Sequence, residues 1–133
     1  MIVHEASIAQ NIIDIAIKIA SEHKARKVNK IVIVVGELNF LDLDALKFAF
    51  QVLSEKTMLE SAELIIELKP AKFKCLKCGS EWSASLAELK DKVELHFTPE
   101  LVLNFLECPN CKSYEVEIEG GRELYIKDIE LVV

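Results

Sequence analysis

The 133-residue chain has little positive charge and no long apolar run. Sixteen Lys+Arg stand against 22 Asp+Glu, and the formal net charge of −6 weighs against generic binding to nucleic acid or to anionic membranes. The longest strictly aliphatic run, Ile31 to Val35, is too short to cross a bilayer, and no secretory signal pattern opens the sequence. We therefore expect a cytoplasmic protein with no nucleic-acid or membrane partner.

The usual motifs of catalysis are also missing from the sequence. No pair of nucleophile and base is recognisable, and no glycine-rich loop could cradle a phosphate. We therefore predict that the protein is not an enzyme.

The composition predicts a compact folded protein. Apolar residues make up 51% of the chain and charged residues 29%, so a core can form beneath a solvated surface. Helical periodicity and strand-like alternation then predict two helices and three strands. The helices are predicted at 6–23 and at 42–54, with Asp42 as the N-cap of the second. The strands are predicted at 31–35, 63–68 and 124–131.

This layout favours an α+β fold with a small three-stranded sheet and two helices on one face. Residues 1–70 together with 120–133 are predicted to form this domain. Residues 71–119, where regular periodicity weakens, are predicted to be an inserted zinc-ribbon-like module.

The last predicted strand changes phase along its length. Leu124 and Ile126 share one phase of the alternation, whereas Ile129 and Leu131 share the other. A β-bulge near Asp128 would place all four side chains on one face.

Two Cys-x-x-Cys motifs stand in the inserted segment. Cys75 and Cys78 form the first, Cys108 and Cys111 form the second, and residues 79–107 separate them. Four thiolates complete a tetrahedral Zn²⁺ shell with no position left for substrate water, so we predict a structural zinc site. The alternatives to a zinc site are disulfides, redox dithiols and free core thiols. Disulfides are disfavoured in a cytosolic chain. Lysines beside the first motif more often form a solvated face than a nucleic-acid contact.

A histidine and a glutamate, His4 and Glu5, stand near the N-terminus. Imidazole, carboxylate, amine and backbone amide groups together suit Ni²⁺ or Cu²⁺ in tetragonal geometry. A histidine near a terminus is more often an ordinary exposed residue, so this pair needs support from the rest of the chain.

That support comes from short segments that occur in a particular order. They are His4-Glu5-Ala6-Ser7-Ile8-Ala9, Gly36-Glu37-Leu38, Ala45-Leu46-Lys47-Phe48-Ala49-Phe50, Ala62-Glu63-Leu64, the two cysteine motifs, Gly121-Arg122-Glu123-Leu124 and Ile129-Glu130. Over essentially its whole length the chain closely resembles the HypA/HybF family of nickel metallochaperones, which mature [NiFe]-hydrogenases.

The resemblance implies a nickel-binding domain of a sheet and two helices, with a zinc domain inserted before the last strand. It implies that His4 is a ligand of the transported Ni²⁺, that Glu5 helps in binding or handover, and that the four cysteines hold structural Zn²⁺. It also implies two partners, a nickel-handling GTPase of the HypB type and the hydrogenase large subunit. Urease is a further recipient for some members, and a monomer and a homodimer are both compatible with the sequence.

The N-terminus departs from the family pattern, which normally begins Met-His-Glu. This chain begins Met1-Ile2-Val3-His4, so we expect the two extra residues to displace the α-amine from the nickel chelate. Our hypothesis is that the native chain starts at Val3, read from a GTG codon. An intact mass of the protein from its native host that includes Met1 and Ile2 would contradict this hypothesis.

One further histidine, His96, lies between the cysteine motifs. We put forward the hypothesis that it supplies an additional nitrogen to nickel, although a histidine beside apolar neighbours is usually a packing or surface residue. Two other functions stay open for the chain as a whole. One is a zinc-ribbon interaction module without nickel traffic, and the other is a dithiol redox protein.

Overall fold

The computed structural model describes residues 2–85 and 106–133. Its elements, in chain order, are α1 (Ile2–Glu22), β1 (Lys27–Gly36), a short 3₁₀ turn (Glu37–Asn39), α2 (Leu43–Leu53), β2 (Glu63–Lys69), β3 (Ala71–Cys75), β4 (Glu81–Ala84), β5 (Val116–Gly120) and β6 (Leu124–Val132). Among the helices in these ranges, none combines the length and the apolar character needed to span a membrane.

The chain divides into two compact units. We call the first the helical unit; it comprises Met1–Val34, Leu41–Glu67 and Tyr125–Val133. We call the second the cysteine unit; it comprises Val35–Phe40 and Leu68–Leu124. The segment Val35–Phe40 begins with the last two residues of β1 and thus belongs to a different unit from the rest of that strand.

The helical unit contains both helices and a three-stranded sheet in the order β2-β1-β6. In β1, Ile31, Ile33 and Val34 are at most 1% exposed, which is the pattern of a central strand covered on both faces. The α+β fold with a small three-stranded sheet, predicted from the sequence, is confirmed.

Helix α1 begins at Ile2, four residues before the predicted start at Ala6. Glu5 occupies a buried position on the helix face that continues through Ala9, and only 7% of its surface is exposed. A hydrogen bond makes this burial possible, because Glu5 Oε1 accepts from the backbone N–H of Asp42 at 3.2 Å. Apolar periodicity does not reveal a helix turn whose core-facing residue is charged.

Helix α2 begins as predicted. Asp42 has an extended conformation, and its Oδ1 accepts from the backbone N–H of Ala45 at 3.1 Å. It is therefore the N-cap of α2. Leu46 and Phe50 point into the core, whereas Phe48 is 68% exposed.

The cysteine unit is built on a second three-stranded sheet, in the order β4-β3-β5. Both neighbours run antiparallel to β3, and Phe73 of β3 lies opposite Trp82 and Ile118. Phe73 forms the core of this sheet together with Ala71, Leu106 and Leu38. Leu38 comes from the 3₁₀ turn after β1, which explains why Val35–Phe40 is part of this unit.

Two glycines allow the backbone to cross itself closely in the cysteine unit. Gly36 N–H donates to the Glu123 carbonyl, and Leu38 N–H donates to the Gly121 carbonyl, both at 2.7 Å. A Cβ atom on Gly36 would overlap the backbone carbonyl of Gly121. A side chain is therefore excluded at Gly36 for steric reasons, although its φ of −74° is open to any residue.

We predict that Gly36→Ala lowers the free energy of unfolding by about 3 kcal/mol, because both groups that meet there are backbone and cannot move aside. Gly79→Ala is the matched control, since a Cβ at Gly79 meets nothing within 4 Å and only its φ of +81° is unfavourable for alanine. Its expected cost is about 1 kcal/mol. Urea denaturation of the zinc-loaded variants, followed by Trp82 fluorescence, measures both. Equal losses would contradict the steric explanation.

Candidate metal centre

Four cysteine sulfurs converge in the cysteine unit. The Sγ atoms of Cys75, Cys78, Cys108 and Cys111 all lie within 4.8 Å of one another. Cys75 Sγ is 3.6 Å from Cys111 Sγ, and Cys78 Sγ is 3.6 Å from Cys108 Sγ. A tetrahedral Zn²⁺ with bonds of about 2.3 Å separates its sulfurs by about 3.8 Å, so these spacings fit the edges of such a shell. All four cysteines are free thiols and form no disulfide.

The two cysteine turns share one backbone geometry. In the first, Gly79 N–H donates to the Cys75 carbonyl at 2.9 Å; in the second, Lys112 N–H donates to the Cys108 carbonyl at 2.9 Å. Both donors have left-handed backbone conformations, with φ of +81° at Gly79 and +65° at Lys112. Glycine adopts this conformation without steric cost, which accounts for the glycine after the first motif.

Backbone amides point at the buried sulfurs. Cys78 N–H donates to Cys75 Sγ at 3.5 Å. The N–H groups of Asn110 and Cys111 both donate to Cys108 Sγ at 3.4 Å. Such bonds stabilise thiolates, which are the form of cysteine that binds a metal.

The environment shifts the pKa values of Cys75, Cys78 and Cys111 in different directions. Hydrogen bonds from the side chain and the backbone of Ser80 lower the pKa of Cys78 to about 5, and the backbone N–H of Cys78 lowers the pKa of Cys75. At Cys111 the Ser113 backbone lowers the pKa, but burial and the neighbouring thiols outweigh it and raise the value to about 12. One negative sulfur thus opposes ionisation of its neighbours, and a cation at the centre removes that opposition.

The donor set fits a closed, thiolate-rich metal site. Cys75, the last residue of β3, and Cys108 are buried, whereas Cys78 is exposed. Within residues 2–85 and 106–133, this is the one group of three or more His, Cys, Asp or Glu side chains whose ligand atoms converge. Four sulfurs favour a soft or borderline ion in tetrahedral geometry, and bound zinc would cross-link the two turns.

The N-terminal pair lies in the helical unit, in the first turns of α1. His4 is exposed, whereas Glu5 is buried and bonded to the Asp42 backbone. The two neighbours therefore have different surroundings. The imidazole faces solvent, and the carboxylate joins the start of α1 to the start of α2.

Of the two remaining histidines, the structure describes His23 but not His96. His96 lies outside the described residues, so its predicted role stays a hypothesis. His23 is exposed at the end of α1, where its Nδ1 lies 2.9 Å from the Ile19 carbonyl oxygen.

Two residues that contact candidate site residues, Asp42 and Ser80, were not identified in this role from the sequence. Asp42 was expected only as a helix cap, but its backbone N–H holds Glu5. Ser80 follows the first cysteine motif, and its Oγ lies 3.3 Å from Cys78 Sγ. A hydroxyl two residues after a metal-binding cysteine is a usable sequence signal, whereas the contact between Glu5 and Asp42 spans 37 residues and needs the fold.

Comparison with known proteins identifies the family. The family model described as "Hydrogenase/urease nickel incorporation, metallochaperone, hypA" matches residues 3–131. A hydrogenase maturation factor HypA from Ignicoccus hospitalis is 42% identical over 132 residues, which cover 96% of this chain and 95% of the relative. Another from Pyrococcus abyssi is 38% identical over 134 residues, with coverage of 96% and 95%.

Solved structures share the fold at lower identity. The solution structure of a HypA protein has a TM-score of 0.64 and 21% identity, and it covers 98% of this chain and 97% of that one. The solution structure of the Ni metallochaperone HypA from Helicobacter pylori has a TM-score of 0.58 and 20% identity, with coverage of 96% and 97%. The family match and these relatives agree over nearly the whole chain, and the protein belongs to the HypA family of hydrogenase maturation metallochaperones.

Proposed function

We propose that this protein binds Ni²⁺ through His4 and Glu5 and helps to insert it into the large subunit of [NiFe]-hydrogenase. In the same proposal, Zn²⁺ held by Cys75, Cys78, Cys108 and Cys111 stabilises the cysteine unit. The observation that carries the proposal is the extent of the family match, which runs from residue 3 to residue 131 and so includes all six of these residues.

The position of His4 suits capture of an ion from solution. It is exposed in the first turn of a helix that begins at Ile2. The first four N–H groups of an α-helix have no acceptor within the helix, so this turn can open at low cost. An imidazole next to such amides presents the nitrogen donors that Ni²⁺ prefers in tetragonal geometry.

Glu5 is proposed to position the nickel-binding turn. Its hydrogen bond to Asp42 N–H ties the residue next to His4 to the start of α2. Because Glu5 is only 7% exposed, direct binding of its carboxylate to nickel requires that this contact loosen. Exchange of the carboxylate between the Asp42 amide and nickel would give a stepwise route for handover.

The proposed activity is capture and release of an ion, not catalytic turnover. The proposed partners are a HypB-type GTPase and the hydrogenase large subunit, with urease as a second proposed recipient. The proposed compartment is the cytoplasm. The family description names both hydrogenase and urease nickel incorporation, which supports this range of recipients.

Zinc is proposed to have a structural role. The four thiols fill a tetrahedral shell, so a bound ion would keep no site for substrate or water. Zn²⁺ supplies charge neutralisation and a cross-link between the two cysteine turns. Structural zinc contributes on the order of 10 kcal/mol of folding free energy to small domains, which is comparable to the whole stability of such a domain.

The nickel site can be tested by substitution at His4. We predict that His4→Ala abolishes Ni²⁺ binding at the N-terminal site, measured by calorimetric titration of the zinc-loaded protein. His23→Ala is the matched control, because it removes another exposed histidine, which directly follows the same helix. Zinc content should stay at one equivalent in both variants. Nickel binding that survives His4→Ala unchanged would contradict the His4 site, and a wild-type protein that binds no Ni²⁺ would favour the alternative function, a zinc-ribbon interaction module without nickel traffic.

Glu5 offers a second test, because two substitutions separate its charge from its hydrogen bond. Glu5→Gln keeps an oxygen that can accept from Asp42 N–H, whereas Glu5→Ala removes both the acceptor and the charge. We predict that Glu5→Ala destabilises the fold by about 1–3 kcal/mol and that Glu5→Gln has a smaller effect. If the carboxylate also takes part in handover, Glu5→Gln should slow transfer of Ni²⁺ to a competing chelator or acceptor protein. Wild-type transfer rates for Glu5→Gln would restrict Glu5 to its structural contact.

Removal of zinc tests the structural role of the cysteines. We predict that a chelator unfolds the cysteine unit, which shifts Trp82 fluorescence to longer wavelength, because Trp82 packs on Phe73 with ring centroids 5.7 Å apart. Cys111→Ser should produce the same shift in the presence of zinc. An unchanged Trp82 spectrum in the metal-free protein would contradict a structural role. Oxidation and reduction that cycle with zinc still bound would instead favour the redox alternative.

A further inference from the structure

The four sulfurs of the metal centre differ in their access to solvent. Cys75 and Cys108 are both 0% exposed, Cys111 is half-buried, and Cys78 is exposed. An electrophile must approach a sulfur from a free side before a bond can form. Reaction is therefore easiest at Cys78, harder at Cys111 and hardest at the two buried cysteines.

The backbone of each turn accounts for the buried position of its first cysteine. Cys75 N–H donates to the Ser80 carbonyl, and Cys108 N–H donates to the Ser113 carbonyl, both at 2.8 Å. The second cysteine of each motif keeps part of its surface in contact with solvent. Access to a sulfur thus depends on its position in the turn, and it is greatest at Cys78.

Two side chains contact the sulfur of Cys78. Ser80 Oγ lies 3.3 Å from Cys78 Sγ, and Asn110 Nδ2 donates to the same sulfur at 3.7 Å. Asn110 belongs to the second turn, where its backbone N–H donates to Cys108 Sγ at 3.4 Å. This one residue therefore binds a sulfur of each turn. A donor on a thiolate engages the electron pairs that would attack an electrophile, so both side chains restrain reaction at Cys78.

We propose that Cys78 is a modification site for soft carbon electrophiles and that Ser80 and Asn110 are positioning residues that hold and shield its sulfur. The inference rests on the proposed function in one respect, which is that the ion held by the four sulfurs is structural zinc. In the reaction with an alkyl halide, the Cys78 sulfur supplies the electron pair of a new S–C bond. The carbon–halogen bond breaks, and the halide leaves with the electron pair of that bond.

The product of this reaction weakens the metal centre. The modified side chain is a neutral thioether, which is not among the usual ligands of zinc, and three thiols remain. Of the first turn, only Cys75 is then left to hold an ion. Modification of Cys78 is therefore expected to release zinc and to loosen the turn that leads into β4.

Limited alkylation of the zinc-loaded protein tests the proposal. Iodoacetamide is added below one equivalent, the modified cysteine is located by peptide mass spectrometry, and released zinc is followed with a chromophoric chelator. We expect the first modification at Cys78, with zinc released at the same rate. After zinc removal, when the cysteine unit is predicted to unfold, the preference among the four cysteines should be lost.

Substitutions separate the positioning residues from the sulfur that they hold. Ser80→Ala and Asn110→Ala each remove one donor, and each is expected to raise the alkylation rate at Cys78 by roughly fivefold, the effect of one lost hydrogen bond. Ser80→Thr keeps the hydroxyl and should keep the wild-type rate. Asn11→Ala removes an exposed asparagine of α1 and should have no effect. All variants should still bind one equivalent of zinc, so that a faster reaction does not reflect a lost metal site.

First modification at Cys111, or equal modification of all four cysteines in the zinc-loaded protein, would overturn the proposal. So would wild-type alkylation rates at Cys78 in both Ser80→Ala and Asn110→Ala. A metal-free protein that keeps the preference for Cys78 would support this assignment and contradict the structural role of zinc instead. The two proposals therefore fail by different results.

Discussion

Convergence of four sulfurs on one point is the constraint on which the cysteine unit depends. The sulfurs come from two turns far apart in sequence, and they lie too close together for all four to ionise without a cation. Backbone amides donate hydrogen bonds to the sulfurs of Cys75 and Cys108, so both turns have the same arrangement of donors around a buried sulfur. An ion at the centre would therefore hold together a unit whose own buried core is small, centred on Phe73.

The same unit takes in the continuation of the central strand of the helical unit. Leu38, just after β1, is buried in the core around Phe73, and the crossing at Gly36 holds this segment by backbone hydrogen bonds. Four residues after Leu38, the chain reaches Asp42, whose amide binds Glu5 beside the proposed nickel ligand His4. The chain thus passes within four residues from the core around Phe73 to the residue whose amide holds Glu5.

Much of this arrangement can be predicted from residue patterns. Apolar periodicity locates both helices, the aliphatic run of β1 identifies the central strand, and the two cysteine motifs identify a four-sulfur site. The start of α1 was predicted too late because its core-facing residue there is Glu5, which is buried through a long-range hydrogen bond. Leu38 in the core of the cysteine unit could not be predicted either, because its partners are distant in sequence and no periodicity marks a three-residue turn.

X-ray absorption at the nickel and zinc edges of one sample, loaded with both ions, tests most directly the claim that the protein separates a cargo site from a structural site. We expect zinc bound to four sulfurs at about 2.3 Å and nickel bound only to nitrogen and oxygen. We also expect the nickel spectrum to change in His4→Ala while the zinc spectrum does not. Sulfur in the nickel shell, with zinc displaced from the cysteines, would contradict the account.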